Sequence, residues 1–254
     1  MVGRLFRIAL SAVLLMFIAA PARSQAAPRK PAIDPEADAV LRQMSDSLKG
    51  AQSAIFRVAD TIDDVQADGR KIQYAHVREL TVQRPNKLKV ETRGDVTNRT
   101  VWMDGKTLTV YDKDKNVYAE IPEPGTIDEA VDMLQDKYNL SLPASDLLCA
   151  DVYKSLTEGC GAIEYVGLGY VGEEKCHHLA FTADTIDYQL WVGAGDKPGP
   201  RKIVITYKRL PGQPQYTMQL LKKEDPSGIK DSVFEREIPN GAEKIEIQPV
   251  AKTE

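Results

Sequence analysis

From Ser53 to Ile121 the chain is a succession of short segments in which apolar and polar residues alternate, and after one interruption the pattern returns from Ala162 to Lys222. Alternation with period two puts the apolar side chains on one face of a strand, and tight turns join such strands antiparallel. Ser53 to Val65 turns around Phe56, Val58 and Ile62; Ala67-Asp68-Gly69 then leads into Lys71 to Arg84, with Ile72, Tyr74 and Leu80 on one face. Lys87-Leu-Lys-Val-Glu91 is the cleanest case, a strand with one wet face. Thr100 to Met103, Asp104-Gly105 and Thr107 to Tyr111 read as a hairpin, followed by Val117 to Ile121. The second block holds Ala162–Val166, Cys176–Phe181, Ile186–Val192, Arg201–Tyr207 and Tyr216–Lys222, and Ile245-Glu-Ile247 closes the pattern. The expected fold is mainly β within the α+β class, a half-open antiparallel barrel of about ten or eleven strands.

Three helical segments stand apart from the alternation. Asp34 caps a helix from Pro35 to about Lys49, whose Ala37, Val40, Leu41, Met44 and Leu48 recur at helical spacing. Thr126-Ile-Asp-Glu129 is a capping box opening a helix to about Lys137, and Pro143 and Ser145 open a further short one through Leu148, Val152 and Leu156. Each carries one apolar stripe and must lie on the sheet. The barrel is therefore expected to be covered by an N-terminal helix and inserted helices.

Arg4 and Arg7 precede an apolar run from Ile8 to Ala20 and a small-residue stretch ending near Ala26, so residues 1–26 read as a secretory signal peptide. Residues 27–33 read as a flexible leader and 34–254 as a single domain, with no transmembrane segment left after cleavage. No cysteine follows the apolar run, so a lipid-anchored N-terminus is not expected. Of the 33 basic and 37 acidic residues, the segment 1–26 holds only Arg4, Arg7 and Arg23, leaving 30 against 37 and a net charge of −7. That balance disfavours nucleic acid as a partner, because such binding leans on Lys and Arg contacts to phosphate. The three cysteines of an exported chain leave an odd one. Export favours a Cys149–Cys160 disulfide, while Cys160–Cys176, or three reduced thiols, remain open readings.

The candidate chemical motifs are weak. Gly167-Leu-Gly-Tyr-Val-Gly172 matches a dinucleotide-binding pattern, but a strand rather than a helix follows it. Asp112 to Glu123 imitates a calcium loop with Val117 where the turn needs glycine. Cys176-His177-His178 suggests a metal or a nucleophile; yet neighbours on a strand point to opposite faces, and no CxxC, HxxxH or HExxH spacing supports zinc. No catalytic residue, metal site or cofactor is expected. A Cys/His hydrolase or metal protein is the least favoured reading. The apolar strand residues Phe56, Leu88, Val90, Val101, Met103, Leu108, Val110, Leu190, Ile203 and Ile205 can all face one concave side. They form a ligand cavity where the helices leave that side unfilled, and a core where they fill it.

The order of these parts, with Trp102-Met-Asp-Gly-Lys-Thr-Leu108 and Tyr111 in the first meander, resembles the LolA/LolB/RseB superfamily. Ser145-Asp-Leu-Leu148, Tyr165-Val-Gly167, Cys176-His-His-Leu-Ala-Phe181, Tyr188-Gln-Leu-Trp191, Pro200-Arg-Lys202 and Pro214-Gln-Tyr216 are similar to an uncharacterised family of predicted bacterial periplasmic proteins within it. The resemblance implies a periplasmic location and an open barrel holding a lipid or a lipoprotein acyl chain, as carrier or sensor. It equally allows an RseB-like regulatory or scaffold protein bound to a periplasmic or membrane-anchored protein partner. No catalytic residue carries over.

Overall fold

A computed structural model describes residues 32–122, 125–138, 140 and 142–249. The expected signal peptide and most of the expected leader lie outside the described residues. The strands are β1 (Ala32–Ile33), β2 (Ser53–Val65), β3 (Lys71–Gln83), β4 (Lys87–Gly94), β5 (Asn98–Met103), β6 (Thr107–Asp112), β7 (Val117–Pro122), β8 (Cys160–Val171), β9 (Glu174–Ala183), β10 (Ile186–Gly193), β11 (Pro200–Tyr207), β12 (Gln215–Glu224) and β13 (Glu243–Lys244). They form one sheet in the order β1-β8-β9-β10-β11-β12-β2-β3-β4-β5-β6-β7-β13, which does not close on itself. All pairings are antiparallel except those of β1 with β8 and β13 with β7. The sheet thus has thirteen strands rather than ten or eleven. The two extra members are the terminal pairs Ala32–Ile33 and Glu243–Lys244, too short to show alternation in sequence.

Helix α1 (Pro35–Lys49) begins where the Asp34 carboxylate accepts from the N–H groups of Glu36 and Ala37, and it buries Ala37, Val40, Leu41, Met44, Ser45 and Leu48. Helix α2 (Ile127–Tyr138) opens with the expected capping box: Thr126 Oγ1 accepts from Glu129 N–H, and the Glu129 carboxylate accepts from Thr126 N–H. The segment expected as one short helix is two pieces, a 3-10 turn at Ser145–Leu148 and α3 (Val152–Thr157), which Asp151 caps by accepting from Lys154 N–H.

Two apolar cores result. In the first, α1 and α3 pack on Ile163, Leu179, Phe181, Tyr188, Leu190, Val192, Ile203, Ile205 and Tyr216. In the second, Ile127, Ala130 and Leu134 of α2 pack on Val82, Met103, Leu108 and Ile121. Phe56 packs against the second core and Ile62 against the first, six positions apart on one strand. An even spacing means one face, so both cores share the helix-bearing inner face of the sheet. After β12 the chain returns over β4 on the outer face, burying Phe234, and its ion pairs Lys87–Asp231 and Lys244–Glu120 fasten it to the sheet.

Candidate functional site: the inner face of the sheet

Register turns the inner face into rows that can be read across strands. One row runs Ala54–Val82–Leu88–Met103–Leu108–Ile121 through β2 to β7 and lies under α2. The next runs Phe56–Leu80–Val90–Val101–Val110, and every member is half-buried. A third runs Val58–Arg78–Thr92–Arg99–Asp112. An incompletely covered apolar strip is therefore flanked by an apolar row buried except at Leu88 on one side and a polar row on the other. Such a furrow can take an apolar chain and offers hydrogen-bonding groups beside it.

The polar row meets a buried cluster. Asp60 lies between Val58 and Ile62 on the inner face, and its side chain is fully buried. Its carboxylate accepts from Arg78 Nε at 2.6 Å and Nη2 at 3.1 Å, and lies 3.0 Å from His76 Nδ1, while Arg78 Nη1 donates to Thr92 Oγ1 at 3.3 Å. A carboxylate taken out of water must be paired, and the forked guanidinium does this with two bonds. Burial opposes the charge on Arg78, but the hydrogen bonds and charge of Asp60 outweigh it and raise its pKa. Burial first, and the Asp60 charge second, push the neighbouring Tyr216 hydroxyl up as well. Gly94 pairs with His76 in register, and a Cβ there would stand 2.2 Å from His76 Cδ2, so the imidazole occupies the space of the missing side chain. Arg78 keeps 31% of its side chain exposed and so joins the cluster to the furrow.

The cover over the two halves differs. Over the first core, Tyr153 of α3 donates to Asp38 of α1 at 2.5 Å and accepts from Arg42 at 2.9 Å, and Ser45 Oγ accepts from Tyr153 N–H. Tyr188 donates to the Leu156 carbonyl from inside the core, where burial drives its pKa strongly upward. Over the second core, α2 has its main backbone contact with the 3-10 turn rather than with a strand. It is tied at its start by Ile127 N–H to the Pro85 carbonyl, and Asp128 accepts from Ala150 N–H. Arg84 Nη1 donates to the Leu148 carbonyl at 2.5 Å, and burial lowers its pKa.

The ten residues expected to face one concave side divide between these halves. Leu190, Ile203 and Ile205 are buried in the first core; Met103 and Leu108 are buried in the second; Phe56, Leu88, Val101 and Val110 pack half-buried against the second, and Val90 stands between Leu80 and Val101. Sequence reasoning missed Asp60, His76, Arg78 and Thr92. Their signal was present: Asp60 interrupts the Phe56, Val58, Ile62 alternation, and a carboxylate in an apolar row demands a cation.

The disulfide expectation is corrected, since all three cysteines are free. Cys149 Sγ faces the Ser145 carbonyl after the 3-10 turn, whereas Cys160 is drawn into the first core against Leu156 O and Tyr188 Oη. Cys176 is fully buried beside the Glu174 carbonyl. Burial pushes all three thiols above their ordinary pKa, which disfavours the thiolate. His177 turns inward to Tyr165 at 2.9 Å, and His178, on the same outer face as Cys176, bonds Gln189 at 2.9 Å, while Cys176 Sγ is turned to the Glu174 carbonyl. Among the described residues no three His, Cys, Asp or Glu side chains gather as a metal site, and no helix is long and apolar enough to cross a membrane. In a cleft of about 760 Å³ at the rim, between the end of α1 and β12, Arg201 pairs with Glu174, Lys222 with Glu224 and Lys223 with Asp225.

Solved structures of low sequence identity superpose on this chain. An uncharacterised conserved protein from Thermus thermophilus superposes with a TM-score of 0.50 at 9% identity, covering 83% of this chain and 99% of that one. Lipoprotein LppX of Mycobacterium tuberculosis gives 0.44 at 13% identity, covering 78% and 100%, and a LolA superfamily protein of Nitrosomonas europaea gives 0.38 at 11%, covering 79% and 97%. No curated protein matches the sequence. A family model described as "Predicted periplasmic protein (DUF2092)" matches residues 37–248, nearly the whole described domain, and the chain belongs to that family.

Proposed function

We propose that this periplasmic protein binds an apolar ligand, a lipid or a lipoprotein acyl chain, along the inner face between α2 and strands β2 to β6, as a carrier or sensor. The observation that supports this reading most is the half-buried row Phe56–Leu80–Val90–Val101–Val110, left between a largely buried apolar row and a polar one. Burying a CH₂ contributes about 0.8 kcal/mol, so about ten carbons along this row supply roughly 8 kcal/mol before the entropy of capture is subtracted. That suits reversible holding. Room for the chain comes from lifting α2, which is seated by only three buried side chains. Arg78 and Thr92 lie beside the strip and suit a polar group at the end of the ligand.

Native mass spectrometry and solvent extraction of the mature protein test this reading. A co-purifying lipid, or saturable uptake of a fluorescent fatty acid that Val101→Glu abolishes, is the expected result. A protein that is ligand-free and also ignores the fluorescent fatty acid rejects it.

A further inference from the structure

The polar row beside the strip shows its two signs of charge unequally. In register, Arg78 of β3 and Arg99 of β5 stand on either side of Thr92 of β4. Each lies two residues along its strand from a member of the strip, Leu80, Val90 or Val101, so all three share the inner face. Asp60, which pairs Arg78, has no exposed side-chain surface, while Arg78 keeps 31% of its own. Asp112, which pairs Arg99, is 15% exposed against 46% for Arg99. In both pairs the carboxylate is hidden and the guanidinium is shown.

The hydrogen bonds divide in the same way. Asp60 accepts twice from Arg78 and faces His76, and Asp112 accepts from Arg99 Nε and from Lys115 N–H, each at 3.1 Å. The acids are occupied. An arginine carries five N–H donors; among the described residues Arg78 commits Nε, Nη1 and Nη2 once each, to Asp60 and Thr92, and Arg99 commits only Nε. Thr92 Oγ1 accepts from Arg78 and keeps its own hydrogen to give. The acids of the adjoining turns, Asp95 and Asp114, are held by Ala75 N–H and by Asn98. Seen from the furrow, the row is a line of donors whose compensating negative charge lies behind it.

An apolar chain on the strip brings its polar end to this row. A hydroxyl or ester oxygen there accepts from one N–H group. A carboxylate or phosphate accepts two from one guanidinium, in charge-assisted bonds about twice as strong as neutral ones. An amine meets donors and cations. We infer, resting on the ligand reading above, that the ligand is an anionic amphiphile whose carboxylate or phosphate is taken by Arg78 and Arg99 beside Thr92, with its chain along the strip. Fatty acids and phospholipids carry such a group. An acyl chain joined to a protein through an ester or amide does not.

Binding of dodecanoate, dodecyl phosphate and dodecanol to the mature protein, at low salt and about pH 8 where both acids are ionised, tests the inference. The three share one chain and differ in the head. Either anion should bind at least about tenfold tighter than the alcohol, and the one that gains more names the head, carboxylate or phosphate. Added salt should narrow the difference. Arg99→Gln should cut the anion's advantage at least about fivefold, whereas Asp112→Asn, which releases Arg99 from its carboxylate, should widen it. Such opposite shifts do not come from a loosened fold, which would weaken all three compounds alike. Equal binding of alcohol and anions, or an advantage that neither substitution moves, overturns the inference and leaves the ligand reading standing. Binding of none of the three rejects the ligand reading itself, and the inference with it.

Discussion

Beneath α1 and α3 the sheet presents Leu179, Leu190 and Val192 with no exposed surface, whereas beneath α2 the row from Phe56 to Val110 stays half-buried across five strands. The difference begins in the helices. α1 inserts six buried residues and is clasped to α3 through Asp38, Tyr153 and Ser45, while α2 inserts three and leaves Met133 and Tyr138 half-buried. One half of the inner face is a finished core, and the other is a half-buried strip beside a helix seated by three buried residues. The proposed ligand reading draws on this difference, and the Asp60–Arg78 pair stands where the two halves meet.

That seam offers the largest test of the comparison. Arg78→Leu removes the forked partner of a fully buried carboxylate, and breaking a buried pair from one side costs about 3–5 kcal/mol. Chemical denaturation should report this loss, and Asp60→Asn combined with Arg78→Leu should recover part of it because the stranded charge is gone. If the single substitution costs less than about 1 kcal/mol, the pair behaves as an exposed bridge and the two halves are not joined through it.

Truncation separates the halves more directly. Leu190→Ala opens a hole in the sealed core and should cost about 2–5 kcal/mol in denaturant unfolding, with fatty-acid affinity in the surviving folded protein unchanged. Val101→Ser, on the half-buried row, should cost about 1 kcal/mol and weaken uptake severalfold. Equal stability losses with equal effects on uptake would erase the distinction between core and strip.

Much of this contrast was legible in the sequence, and what escaped has identifiable causes. The helix boundaries at Pro35 and Ile127 follow from Asp34 and from the Thr126/Glu129 box, local signals that the structure uses as written. Eleven strands announce themselves by alternation, whereas Ala32–Ile33 and Glu243–Lys244 exist only because distant strands present edges to them. The ten apolar residues do share a face, but which of them a helix seals depends on side chains that come from α1 and α2, far off in sequence. Cys149 and Cys160 are close in sequence and still unpaired, because the turn and α3 between them send one thiol to the turn and the other into the core. Asp60 was readable as an exception to its row; its partners on β3 and β4 became visible only with the register.

The cover itself can be loosened without touching the strip. Thr126→Ala removes the acceptor for Glu129 N–H at the start of α2, and loss of such a cap costs about 1 kcal/mol of helix stability. Global unfolding should shift slightly, while release of a bound fluorescent fatty acid should quicken. A release rate unchanged by Thr126→Ala, in a protein whose α2 amides exchange faster, would mean that α2 is not the cover the ligand passes.

The smallest effect is the response to acid, where the two covers should part company. Asp38 is held below the usual carboxylate range by its hydrogen bond to Arg42 and then by that to Tyr153, and Glu129 by the Thr126 N–H and hydroxyl. Both are depressed in the folded chain, so each contributes stability that is fully present above the ordinary values of 3.8 and 4.5 and is lost as pH falls through the lower folded values. Glu129 is exposed and Asp38 half-buried, and salt and water keep both contributions modest. The two losses have different consequences. When Asp38 is protonated, α1 still rests on six buried residues, whereas protonated Glu129 leaves α2 without half of its capping box and with three. Hydrogen exchange followed downward from pH 5 should therefore show the amides of α2 opening before those of α1, and Glu129→Gln, which keeps a neutral acceptor for Thr126, should flatten the α2 response alone. Simultaneous opening of both helices would show that the cover over the strip is as firmly seated as the one over the core, and the ligand would then need another way in.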